Sequence, residues 1–115
     1  MVYLMKGSYL GEFEEIILLA AAILHEQAYA VAIMKEIEER TGRNLHISAV
    51  HTALYRLEEK GYVISQLGEA SQKRGGKRKR LFSLTPFGIR AMKGAMELRQ
   101  QMWAQVPKVI LQQSL

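Results

Sequence analysis

The chain has 115 residues, enough for one domain with a modest core and too few for two. It lacks cysteine and aspartate, and its three histidines, His25, His46 and His51, are scattered, which excludes a disulfide framework, a thiolate metal site and any catalytic triad. The formal charge of +5 is local: six of the eight residues from Lys73 to Arg80 are basic, and without them 10 Lys and Arg face 11 Glu, a net of −1.

A nearly neutral body carrying one glycine-hinged basic loop calls for an anionic partner at that loop, and nucleic acid is the commonest. A solvated charged turn is the alternative that composition alone leaves open. Gly75-Gly76-Lys77 lacks the full spacing of a phosphate-binding loop. Neither an enzyme nor a cofactor is expected. The longest apolar stretch, Ile16 to Leu24, is nine residues, about half of what a membrane span requires. The first eight residues lack the apolar core of a secretion signal, so a cytoplasmic protein with no membrane partner is expected.

In chain order, Glu12, Glu14 and Glu15 suit the first turn of a helix that continues through the apolar run to about His25. Such an apolar helix must be covered on several sides, in part by a second subunit. A second helix is predicted from about Tyr29 to Thr41, stopped by Gly42, with Val31, Ile33, Met34 and Ile37 inward and Glu36, Glu38, Glu39 and Arg40 largely outward. A short extended piece, Asn44 to Ile47, follows.

Ser48 is placed as the cap of a third helix ending at Gly61, with a core stripe of Val50, Leu54 and Leu57. At about 100° per residue the opposite face gathers Ser48, Thr52 and Tyr55, with His51 and Arg56 on its flanks and no acid before Glu58. Tyr62 to Leu67 and Arg80 to Leu84 read as the strands of a hairpin tipped by the basic loop.

Thr85 caps a last helix with Pro86 at its first position. Ile89, Met92, Ala95, Met96, Trp103 and Val106 form its apolar stripe, Arg99 interrupts it, and Pro107 ends or kinks it. With little of its own chain left to pack against, this helix is expected to pair with an identical subunit.

Three helices followed by a basic hairpin make a winged helix-turn-helix, a mainly α (α+β) fold. The division expected is a DNA-binding domain over residues 1–85 and a C-terminal dimerisation helix over 86–115. The segments Leu10-Gly11-Glu12-Phe13-Glu14-Glu15, Ala28-Tyr29-Ala30, Arg56-Leu57-Glu58-Glu59-Lys60-Gly61-Tyr62-Val63, Arg74-Gly75-Gly76-Lys77-Arg78-Lys79-Arg80 and Leu84-Thr85-Pro86-Phe87-Gly88 occur in the order seen in the PadR family of bacterial transcriptional regulators. The chain resembles the short form of that family, which has one C-terminal helix. It departs where the family usually has tyrosine at the position of His51.

The resemblance implies a homodimeric regulator, by the family's usual mode a repressor, acting on an inverted repeat in double-stranded DNA. Ser48, His51, Thr52, Tyr55 and Arg56 are the expected contacts of the recognition helix, Arg56 either forking onto a guanine or tied up in a salt bridge. Lys73, Arg74, Lys77, Arg78, Lys79 and Arg80 would hold phosphates or enter the minor groove. Some family members bind flat aromatic compounds between their C-terminal helices, which makes Trp103, Met92 and Met96 candidates for a small hydrophobic or aromatic effector; the alternative is that they are dimer core. Use of the winged helix for non-specific nucleic-acid binding or for protein contact is the remaining alternative.

Overall fold

The computed structural model describes residues 10–68 and 79–113. Three helices come first: α1 (Glu12–Leu24), α2 (Ala30–Thr41) and α3 (Ile47–Glu59), with a 3-10 turn at His25–Gln27 between the first two. An antiparallel hairpin follows, β1 (Val63–Leu67) paired with β2 (Arg80–Leu84), then the long α4 (Pro86–Ala104) and a single turn, α5 (Lys108–Leu111).

The helices and the hairpin close on one core. Ile17 and Leu18 of α1, Ile33 and Ile37 of α2, and Val50, Leu54 and Leu57 of α3 meet Tyr62, Val63 and Phe82 from the hairpin side. Among the described residues no polar or charged residue is buried with them. Apolar burial of this kind supplies about 25 cal/mol per Å² removed from water and is the main force holding α3 in place.

Two turns fix the geometry of the helix pair that bears α3. After α2, Gly42 adopts the left-handed conformation (φ 74°). Its N–H bonds the Glu38 carbonyl at 2.9 Å, and the Glu38 carboxylate accepts the Leu45 N–H at 2.9 Å, tying the turn back to the helix. After α3, the Tyr62 N–H reaches the Leu57 carbonyl (2.8 Å) and the Gly61 N–H the Glu58 carbonyl (3.0 Å), with Gly61 at φ 82°. This is a Schellman ending, which only glycine adopts without strain at that position.

The hairpin pairs Val63 with Leu84, Ser65 with Phe82 and Leu67 with Arg80. Its free edge is covered from the other side, where Tyr29 forms a bridge with Leu81 and the Phe82 N–H bonds the Ala28 carbonyl at 3.0 Å. Pairing of β2 on both sides suppresses an exposed edge.

The start of α4 rests on the end of α3. Thr85 caps α4 by accepting the Gly88 N–H (3.0 Å) while its hydroxyl donates to the Gly61 carbonyl (2.6 Å). Phe87 stacks on Tyr62, with ring centroids 4.9 Å apart. Gly88 is required here, since a Cβ would lie 2.0 Å from the Tyr62 carbonyl oxygen. Beyond Met92 the helix leaves the core, and no helix among the described residues is long and apolar enough to cross a membrane.

Several local expectations are corrected. Ser48 is not the cap of α3: Ile47 is already helical, His46 occupies the cap position, and no side chain bonds there. Residues 42–46 carry no regular secondary structure; His46 has extended dihedrals (φ −94°, ψ 138°), but Ile47, expected to end the extended piece, already belongs to α3. Val31 does not face inward but is 49% exposed, and its place in the core is taken by Ala30. The near-continuous apolar run from Ala28 to Met34 leaves the phase of the helix open to that error. Pro107 separates α4 from α5 and serves as the cap position of the latter.

Candidate nucleic-acid interface

Core residues Val50, Ala53, Leu54 and Leu57 anchor α3 along one side, so the 100° rotation per residue turns Ser48, Thr52, Tyr55 and Glu59 to solvent. The Thr52 hydroxyl donates to the Ser48 carbonyl at 2.9 Å, which leaves its oxygen as an outward acceptor. Tyr55 is 49% exposed, and its ring lies against His51 with centroids 5.9 Å apart. His51 is half-buried beneath it, and its Nδ1 is enclosed without a hydrogen-bond partner. The opposite ring nitrogen is the one left for an outward contact.

On the other flank, Arg56 opens into a groove of about 900 Å³. Ser48, Thr52 and His46 line one wall, and residues 11–14 at the start of α1 line the other, with Lys60 at one end. Arg56 is exposed and pairs with no described carboxylate. The salt-bridge role weighed for it from sequence is therefore not the one it plays among the described residues.

The acids of the groove are already neutralised. Glu12 is held by Arg43 from the α2–α3 turn, and both oxygens of Glu14 accept Lys60 Nζ at 3.0 Å while one also accepts the Gly11 N–H. Glu14 and Glu15 have side chains only 13% and 12% exposed and are paired. Among the described residues Arg56 thus remains an unpaired cation in a groove whose carboxylates are matched by other bases. Such a group is available to phosphate or to a base edge.

The wing is tied to α3 by a short relay. Arg80 donates to the Ser65 hydroxyl (3.1 Å), which donates to the Glu58 carboxylate (2.8 Å). At the base of the hairpin the Gly68 N–H bonds the Lys79 carbonyl (2.7 Å), and the Lys79 ammonium sits 5.7 Å from the centre of the Tyr29 ring. Lys73, Arg74, Lys77 and Arg78 lie outside the described residues.

The structure therefore brings Ser48, Thr52 and Arg56 to one groove, stacks His51 and Tyr55 on the adjacent ridge, and sets Arg80 against the far end of the same helix. Sequence reasoning missed Arg43 and Lys60 as the bases that neutralise the groove, and Glu58-Ser65 as the anchor of the wing. The partners of these contacts are 31 and 46 residues apart for Arg43 and Lys60, and no local pattern links them.

A winged helix-turn-helix with these features has known counterparts. The family model of the PadR-like transcriptional regulators matches residues 18–94. The chain belongs to the PadR-like family. Its members are DNA-binding transcriptional regulators, not enzymes. A PadR family regulator from Clostridium difficile shares 28% identity, covering 84% of this chain and 95% of its own, with a TM-score of 0.55. A transcriptional regulator from Clostridium thermocellum shares 26% identity over 85% of this chain and 86% of its own, at a TM-score of 0.60. A PadR-like regulator from Bacillus cereus shares the fold at 17% identity, with a TM-score of 0.69 over 89% of this chain and 93% of its own. No curated protein matches the chain.

Proposed function

We propose that this PadR-like protein is a cytoplasmic homodimeric repressor that binds an inverted-repeat operator. In this reading residues 1–85 form the DNA-binding domain and residues 86–115 the dimerisation segment. The observation that carries the reading is the face of α3: polar, free of acids through its first turns, and flanked by an Arg56 that pairs with no described carboxylate. Ser48, His51, Thr52, Tyr55 and Arg56 enter the major groove, while Lys73, Arg74, Lys77, Arg78, Lys79 and Arg80 hold the backbone beside it.

Support for the dimer comes from apolar surface. Ile89, Met96, Leu98, Met102 and Trp103 of α4 and all three apolar residues of α5 are exposed. On α1, Ile16, Leu19, Ala20 and Ile23 line a second groove of about 230 Å³. Uncovered apolar area on two neighbouring helices of a small domain marks a protein interface, and a two-fold axis through α1 and α4 would pair it with itself.

The finer reading adds an effector. Met96 and Trp103 are two turns apart on one exposed stripe of α4, whereas Met92 packs against the core. A flat aromatic compound held between paired Trp103 rings would change the spacing of the two α3 helices and release the operator.

The test is a titration of the purified protein with DNA from upstream of its own gene, random duplex and an RNA hairpin, at about 50 and 200 mM salt. Tighter binding to the upstream DNA supports the reading. Equal binding to all three, with one steep salt dependence, would leave a general polyanion binder instead.

A further inference from the structure

Two adjacent carboxylates at the start of α1 bind two different functional elements. Glu14 holds Lys60, at the end of α3. Glu15 holds Arg99, on α4, through two N–H groups on one edge of the guanidinium: Nη2 to Oε1 at 2.7 Å and Nε to Oε2 at 3.1 Å. This fork is the geometry that fixes orientation as well as distance. The Glu15 side chain is only 12% exposed, so its carboxylate is a fixed point, while Arg99 comes to it from an exposed face.

The mechanics follow from where α4 is attached. Its first turn is locked onto α3 by Thr85, Phe87 and Gly88, and Ala91 and Met92 pack on the core. Arg99 lies eleven residues beyond Gly88, about 16 Å along the axis at 1.5 Å per residue. Between Met92 and the end of α4 the Arg99–Glu15 fork is the hydrogen-bonded tether of this helix to the body among the described residues. A rod held at its base and at one further point has its tilt set by that point.

We infer that the Glu15–Arg99 pair is a positioning device that sets the tilt of α4 against the DNA-reading domain, and so the separation at which two copies of α3 meet a duplex. The inference rests on the dimeric operator-binding reading above. A 10° change of tilt about Gly88 moves the helix at Trp103, about 22 Å away, by about 4 Å. One base pair advances the duplex by about 3.4 Å. Loss of the fork leaves the tilt unset, and a play of this size lets the reading heads range over about one base-pair step, enough to blur the match between protein and spacer. Glu14, the residue next to Glu15, holds Lys60 and so ties the end of α3 to the fixed end of the tether.

The experiment uses the intact protein and the half-site that the native protein selects from a random duplex library, arranged as inverted repeats whose spacers differ by one, two and five base pairs. The native protein is expected to favour one spacer by about tenfold or more over its neighbours, because a wrong spacer must be made up by bending or twisting DNA. Arg99→Gln and Glu15→Gln are expected to bind an isolated half-site as the native protein does, yet to bind the neighbouring spacers within about threefold of the best. The double variant should be no broader than either single one, and Arg99→Lys, which keeps the charge without the fork, should fall between. Loss of stability or of half-site affinity at unchanged spacer preference would assign the pair a merely structural role and overturn the inference. An equally sharp preference in Arg99→Gln overturns it as well, with the dimeric reading intact. A native protein indifferent to spacer overturns the dimeric reading itself.

Discussion

The junction between α3 and α4 makes a sharp prediction at Gly88. An alanine Cβ there would sit 2.0 Å from the carbonyl oxygen and 2.9 Å from the carbonyl carbon of Tyr62. The obstacle is backbone, so no rotamer change relieves it, and α4 must lift off the Gly61–Tyr62 turn. Overpacking of this kind costs about 1 to 3 kcal/mol, and the Thr85 cap that depends on the same approach is worth about 1 more. Against this stands a gain of about 1 kcal/mol from replacing glycine in a helix. The net loss is about 1 to 3 kcal/mol, which for a chain of this size lowers Tm by about 5 to 15 °C. Gly94 provides the matched control: it lies six residues further along α4 and has nothing within 4 Å of a built Cβ. Thermal unfolding followed by circular dichroism should show Gly88→Ala melting well below the native protein and Gly94→Ala melting at or above it. A Gly88→Ala variant as stable as the native protein would refute the close approach of α4 to Tyr62.

Arg56→Ala should weaken specific DNA binding by about 1 to 3 kcal/mol and leave Tm unchanged, since the side chain pairs with no described carboxylate; a fall in Tm without a fall in affinity would contradict its exposed role. Trp103→Ala, by removing the largest exposed side chain of α4, should raise the dimer dissociation constant at least about tenfold in sedimentation experiments. Replacing Lys77, Arg78, Lys79 and Arg80 with glutamine should weaken binding to every DNA sequence alike and flatten the dependence of affinity on salt by about 0.9 for each phosphate no longer neutralised. Burial raises the Tyr62 phenol above its ordinary value of 10.0, with Lys60 pulling partly against this and Glu14 adding to it. The folded state then keeps the proton longer than the unfolded one, so this stability is full below pH 10 and is lost as pH rises through the folded value. Alkaline unfolding of Tyr62→Phe should accordingly be less steep.

What was legible in the sequence was governed by neighbours in the chain. Thr85-Pro86 placed the start of α4, Gly42 and Gly61 placed the ends of α2 and α3, and Val50, Leu54 and Leu57 identified the buried side of α3, because caps, left-handed glycines and helical spacing act within a few residues. Val31 failed where apolar residues were too dense to fix a phase. Ser48 failed because a cap depends on which backbone turn closes first, and Ile47 joined the helix ahead of it. From the sequence, the acids of α1 are dipole partners of their own helix. Their larger role, as anchors for Arg43, Lys60 and Arg99, depends on bases 31, 46 and 84 residues away. Of the candidate interface, the exposed face of α3 was visible from periodicity alone, while the burial of His51 beneath Tyr55 needed the folded chain.

If two copies of α3 read DNA across a two-fold axis, the protected DNA must carry the same symmetry. A hydroxyl-radical footprint of the native protein on the DNA upstream of its gene tests it most directly. Paired protected patches related by two-fold symmetry are expected, with half-sites about one helical turn or a small multiple apart. One unsymmetrical patch, or uniform weak protection that vanishes with salt, would contradict it.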